Sequence, residues 1–115
     1  MNKKRVHTPE GVRDVYGTEY GQRSKLKAKL NKVFASYGYE GIRTPGFEFF
    51  DVFNSEKGTV SAREMFKFFD REGNTLVLRP DVTPSIARCI AKYFNEENMG
   101  IRLSYAGNVF LNNSS

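Results

Sequence analysis

Two prolines in the run Leu78-Arg79-Pro80-Asp81-Val82-Thr83-Pro84 restrict the fold of this chain more than any other feature. Proline has no backbone N–H to give to a sheet ladder, so a strand arriving through residues 75–78 must end here. Its fixed φ suits the first position of a helix, which predicts that a helix starts at Pro84 with Thr83 as N-cap. Ile86, Ala87, Ile90, Ala91 and Phe94 recur at the spacing of that helix's buried face. Upstream, residues 65–69 and 75–78 are strand-like runs separated by Asp70-Arg71-Glu72-Gly73-Asn74, a set of turn formers. An antiparallel hairpin feeding the helix is expected.

The flanking segments extend this pattern. Residues 8–14 are rich in turn formers and read as extended. A first helix is expected from near Thr18 to Tyr37, with Leu26, Leu30, Val33, Phe34 and Tyr37 as its apolar stripe and Gly38 ending it in a left-handed cap. That stripe needs a partner surface. Pro45 then pushes Thr44 toward extended backbone, so residues 39–45 read as a short strand leading into a bend. Phe47, Phe49, Phe50, Val52 and Phe53 form a dense apolar group without clear period, read as a short helix around residues 48–54, and residues 56–62 read as a surface loop. Residues 101–110 are partly alternating and read as a last strand. This order gives an α+β domain with helices packed on one face of a small antiparallel sheet.

The 115 residues allow one modest core, and no linker or repeat divides them, so residues 1–115 are read as one domain. No apolar run reaches membrane length, and the basic start Lys3-Lys4-Arg5 leads into polar residues without the apolar stretch of a signal peptide, so the expected compartment is the cytoplasm. The formal charge of +5 attracts anions, but Arg23, Lys25, Lys27, Lys29 and Lys32 spread around a helix instead of lining one face. They read as a solvated surface, and nucleic acid is not the expected partner. Cys89 is alone and falls in an apolar helical pattern, where it reads as a small core residue. His7 has no second group to hold it as a base. No metal-ligand spacing, phosphate-binding glycine loop or nucleophile elbow is present, so neither a metal nor a cofactor is expected.

Asp81 and Thr83 remain. A carboxylate and a hydroxyl two residues apart at a strand-to-helix junction can accept hydrogen bonds from an ammonium group. They can equally cap the helix.

Four segments, in order along almost the whole chain, resemble a known family. Thr8-Pro9-Glu10-Gly11-Val12-Arg13-Asp14 resembles the opening of class II histidyl-tRNA synthetases and of their paralogues, the ATP phosphoribosyltransferase regulatory subunits of histidine biosynthesis, and is closer to the latter. Tyr37-Gly38-Tyr39-Glu40-Gly41-Ile42-Arg43-Thr44-Pro45 resembles the class II dimer-interface motif. The run from Leu78 to Arg88 is similar to the amino-acid-binding segment, and the run Arg102-Leu103-Ser104-Tyr105-Ala106-Gly107-Asn108-Val109-Phe110 to the first strand of motif 2. The resemblance implies the N-terminal portion of a class II synthetase-like antiparallel sheet, through the first strand of motif 2.

Two departures separate the relatives. Where the synthetases follow this strand with an arginine for the ATP α-phosphate, this chain has Leu111, which cannot donate a hydrogen bond. Asp81 stands where they usually carry glutamate. The resemblance therefore implies a non-catalytic regulatory subunit whose Asp81 and Thr83 contact the amino group of histidine, whose partners are the short-form catalytic subunit and a second copy of itself, and whose effector is histidine. The alternative is an N-terminal fragment of a histidine–tRNA ligase. By the same resemblance the dimer motif involves Tyr37, Gly38 and Pro45, and motif 2 involves Arg102, Tyr105 and Phe110.

Overall fold

The computed structural model describes residues 6–54, 60–94 and 100–112, which fall into two compact units, Met1–Tyr37 and Gly38–Ser115. In the first unit the extended segment turns at Gly11, with φ of 85°, where the Thr8 hydroxyl donates to the Val12 carbonyl at 2.7 Å. Arg13 then forks onto both oxygens of Glu19, at 2.8 and 2.6 Å, and ties this segment to the first turn of α1 (Gly17–Ser36). The Arg13 hydrogen bond holds the Glu19 carboxyl at about 2. The helix ends as the sequence predicts: the Tyr37 N–H donates to Phe34 O at 3.1 Å and Gly38 follows with φ of +83°. None of its residues is buried, and Leu26, Leu30, Val33, Phe34 and Tyr37 are all exposed.

The second unit contains β1 (Glu40–Gly41), β2 (Phe47–Phe49), α2 (Phe50–Phe53), β3 (Lys67–Phe69), β4 (Thr75–Leu78), α3 (Thr83–Tyr93) and β5 (Leu103–Ser104), with a 3-10 turn at Ala62–Glu64. β3 and β4 form the expected antiparallel hairpin, with Phe69 opposite Thr75. The Asp70 carboxylate accepts from the Glu72 and Asn74 N–H groups, at 2.9 and 2.8 Å, and from the Asn74 side chain at 2.9 Å. These bonds, those from Asn74 first, lower its pKa. Gly73 supplies the left-handed backbone that closes the turn.

β4 is the centre of a three-stranded antiparallel sheet, flanked by β2 and β3. Residues of a strand alternate between faces, so Val77 shares one face with Glu48 and Lys67, and Leu76 shares the other with Phe49 and Phe68. Val77 is wholly buried and packs with Phe53 and Met65, against which Phe50, Val52 and Val60 also lie. On the opposite face Phe47, Phe49 and Phe68 are exposed, with Phe47 and Phe68 edge to face at 5.6 Å between ring centres.

Five expectations are corrected. The apolar group 47–53 is strand before it is helix, because Phe47–Phe49 completes hydrogen bonds on the free edge of β4, a tertiary demand that local pattern does not reveal. Of the expected loop, residues 56–59 lie outside the described residues, and Ala62 already begins the 3-10 turn, whose N-cap Ser61 accepts from the Arg63 N–H. On α3 the N-cap position is Val82, not Thr83, and the buried face passes through Ser85, which is wholly buried. Ile86, Cys89, Ile90 and Phe94 are half-buried, while Ala87 and Ala91 are exposed. The last strand shrinks to Leu103–Ser104, paired parallel with Glu40–Gly41.

The turn of α3 explains the shifted face. Arg88 lies three residues after Ser85 and reaches back to Glu48 of β2, with Nε 2.8 and 3.0 Å from its two carboxylate oxygens. Glu48 retains 6% of its side-chain exposure and Arg88 31%. Removing one partner of a buried pair strands the other charge, so Glu48→Ala is expected to cost about 3 kcal/mol, the low end for such pairs because Arg88 reaches water. Urea denaturation checks this. A loss below about 1 kcal/mol, the range of exposed pairs, would show that water serves Arg88 as well as Glu48 does.

Candidate functional site

The junction between β4 and α3 is built from Arg79, Pro80, Asp81, Val82 and Thr83. Pro80 and Val82 are buried, Asp81 is half-buried and Thr83 exposed, so the two polar side chains stand on an apolar footing. Asp81 Oδ1 accepts from the Thr83 N–H at 3.3 Å. This bond satisfies one N–H of the first turn of α3, and a negative charge there complements the helix dipole. Asp81 stands one residue before the N-cap position, Val82, so this bond is a local turn contact at the start of α3. An ionised carboxylate has about four acceptor sites, so the same group can also receive an ammonium proton.

Arg79 fixes the junction from below. Its N–H donates to Gly46 O at 2.9 Å and its carbonyl accepts from the Phe110 N–H at 2.9 Å. Its side chain donates from Nε to Asn108 O at 2.6 Å and from Nη1 to Thr44 O at 3.1 Å. Gly107 makes room for this: a Cβ there would lie 2.8 Å from Nη2 of Arg79. The same contact explains the shortened last strand, since the Asn108 carbonyl is taken by a side chain instead of a neighbouring strand.

The other expected site residues divide between two places. Phe110, half-buried, is tied to Arg79 and so lies at the Asp81–Thr83 junction, followed by exposed Leu111. The Arg102 carbonyl accepts from the Glu40 N–H and the Ser104 carbonyl from the Ile42 N–H, both at 2.9 Å, so the two segments expected to carry motif 2 and the dimer-interface motif run side by side here. Tyr105 is exposed just beyond this pair. Tyr37 and Gly38 form the end of α1 described above, and Pro45 follows the buried Thr44.

Sequence reasoning gave no role to Arg79 or to the pair Glu48 and Arg88. Glu48 leaves a faint signal, a lone acid between Phe47 and Phe49. Arg79 leaves none, because its partner Asn108 is 29 residues away. Among the described residues no group of three or more His, Cys, Asp or Glu could hold a metal ion, and no helix is long and apolar enough to cross a membrane.

A family model described as histidyl-tRNA synthetase matches residues 11–115. The chain is 42% identical over 110 residues to an ATP phosphoribosyltransferase regulatory subunit of Acetivibrio thermocellus, covering 96% of this chain and 26% of the relative. It is 38% identical over 115 residues to the protein of the same name from Clostridium acetobutylicum, covering 100% of this chain and 28% of the relative. It therefore spans little more than a quarter of the length of these relatives. Among solved structures, an ATP phosphoribosyltransferase regulatory subunit/histidyl-tRNA synthetase from Bacillus halodurans superposes with a TM-score of 0.81 at 31% identity, over 91% of this chain and 27% of that one. The apo histidyl-tRNA synthetase of S. aureus gives 0.76 at 30% identity, over 90% and 29%. With an α+β architecture shared with these structures and a family match over nearly all its residues, the chain belongs to the histidyl-tRNA synthetase family, where its sequence is similar to the members named ATP phosphoribosyltransferase regulatory subunits.

Proposed function

We propose that this chain is the N-terminal, synthetase-like part of a regulatory subunit of ATP phosphoribosyltransferase, acting in the cytoplasm in histidine biosynthesis. In this reading the full-length protein binds the short-form catalytic subunit, supports its activity and transmits feedback inhibition by histidine. The observation that carries it is the 42% identity, over nearly the whole chain, to a protein so named. Leu111 supports the non-catalytic half of the reading. It follows Phe110, which is fastened to Arg79, so its position beside the junction is set, and its side chain offers nothing to a phosphate.

A histidine–tRNA ligase is the second reading, favoured by the family model and by the S. aureus structure. It requires charge stabilisation during adenylate formation that Leu111 does not supply. The protein is expected to show no pyrophosphate exchange with histidine and ATP, and this chain alone no formation of phosphoribosyl-ATP. Turnover above background in the first assay would favour the ligase, and in the second a catalytic role for the chain.

Self-association belongs to the same reading. Leu26, Leu30, Val33, Phe34 and Tyr37 of α1 are exposed and recur at helical spacing, a set of apolar side chains that a second copy would cover. A homodimer is expected by light scattering at tens of micromolar, and a monomer throughout that range would count against it.

Asp81 and Thr83 are assigned to the amino group of bound histidine. Loss of a charge-assisted hydrogen bond to an ammonium costs ~1.5–3 kcal/mol, about ten- to a hundredfold in affinity. Asp81→Ala in the full-length protein is therefore expected to weaken histidine binding and inhibition by that factor while leaving assembly with the catalytic subunit intact. Because Asp81 also accepts from the Thr83 N–H, the same substitution should lower stability by about 0.5–1.5 kcal/mol. Calorimetric titration beside thermal melts separates the roles: a lowered melting temperature with unchanged histidine affinity leaves only the local bond.

A further inference from the structure

Arg79 is two residues before Asp81, and its hydrogen bonds run to main-chain atoms of two other segments: Thr44 and Gly46 on one side, Asn108 and Phe110 on the other. From these contacts we infer that Arg79 is a positioning residue that couples histidine bound at Asp81 and Thr83 to the conformation of residues 107–112. The inference rests on the histidine-binding reading of those two residues and extends it to how the occupied site is communicated.

Three observations carry it. The Arg79 side chain and its carbonyl bond residues 108 and 110, so the junction and the 107–110 segment cannot move independently without breaking bonds at 2.6 and 2.9 Å. The planar fork of a guanidinium reaches Asn108 O and Thr44 O at once, which a single ammonium does not reproduce. Gly107 leaves the space the fork occupies, since a Cβ there would lie 2.8 Å from Nη2. Beyond Phe110 the segment is fastened a second time, by the Asn112 N–H donating to Glu64 O at 2.7 Å. A ligand at Asp81 would sit two residues from the Arg79 end of a strap that is held at both ends. Linkage makes the effect reciprocal: loosening the strap must weaken the ligand by the factor with which the ligand tightens the strap.

The test uses the full-length protein as wild type and as Asp81→Ala, Arg79→Lys and Gly107→Ala. Arg79→Lys keeps the charge and removes the fork, whereas Gly107→Ala keeps every charge and displaces the fork. Calorimetric titration with histidine is paired with amide hydrogen exchange, with and without histidine, read at Phe110 and Asn112. In the wild type, histidine is expected to slow exchange at these amides. In both Arg79→Lys and Gly107→Ala that response should be lost and histidine should bind about tenfold more weakly, a size typical of residues that relay coupling without touching ligand. A merely structural Arg79 would raise exchange with and without ligand equally and leave the histidine-dependent difference in place. Retained affinity and a retained response in both variants, with Asp81→Ala weakened, overturns the inference and leaves the histidine site standing. Unchanged affinity in Asp81→Ala overturns the site reading and the inference with it.

Discussion

A single guanidinium holds the second unit's loops to its sheet. Main-chain carbonyls left outside a ladder must find a donor or face water, and Thr44 O and Asn108 O both find theirs in Arg79. Because the same residue also engages Gly46 O and the Phe110 N–H through its backbone, the exit of β4 is fixed in position and orientation. The short elements around it need this support. β1 and β5 are two residues each and α2 four, too few for any of them to persist by its own hydrogen bonds.

The far side of the sheet relies on a different principle. Glu48 lies beside Val77 on the buried face, where a lone carboxylate would be costly, and Arg88 of α3 makes its burial tolerable. An apolar pair of similar size could give as much stability. What the ion pair adds is direction, since a one-residue slip of β2 would carry Glu48 to the face of Phe68 and leave Arg88 without its acid. Register of β2 and rotation of α3 are thereby set together. The aromatic face opposite keeps Phe47 and Phe49 accessible, so the sheet is finished on one side only.

Elements with a local cause were legible in the residues. The hairpin follows from Asp70 and Gly73, the end of α1 from Gly38, and the start of α3 within a residue of Pro84, all of which act on backbone a few positions away. What escaped depends on partners distant in sequence. Residues 101–110 carry a strand pattern, yet most of their hydrogen bonding goes to Arg79 and to the short β1, which periodicity cannot reveal. The buried face of α3 was only partly legible for a related reason: Ile86, Ile90 and Phe94 are half-buried as expected, but Ser85 and Arg88 look like solvent-facing residues until Glu48 is known to lie across from them. At the junction, Asp81 was legible as a cap or a ligand contact, and the geometry shows it bonded to the first N–H of α3 from one residue before the N-cap.

The parallel pair of β1 and β5 bears on how the chain acquires its structure. Glu40 meets Leu103 and Gly41 meets Ser104, so every other element of the second unit lies between the two partners in sequence. Closing so long a loop carries an entropy cost that two residue pairs cannot offset alone. The pair can persist only once the hairpin, β2 and α3 have drawn its ends together, which makes it a late event in folding and an early one to be lost. The segment that carries Arg102 and Tyr105 thus reports on whether the rest of the unit has been completed, a local arrangement whose existence certifies the whole.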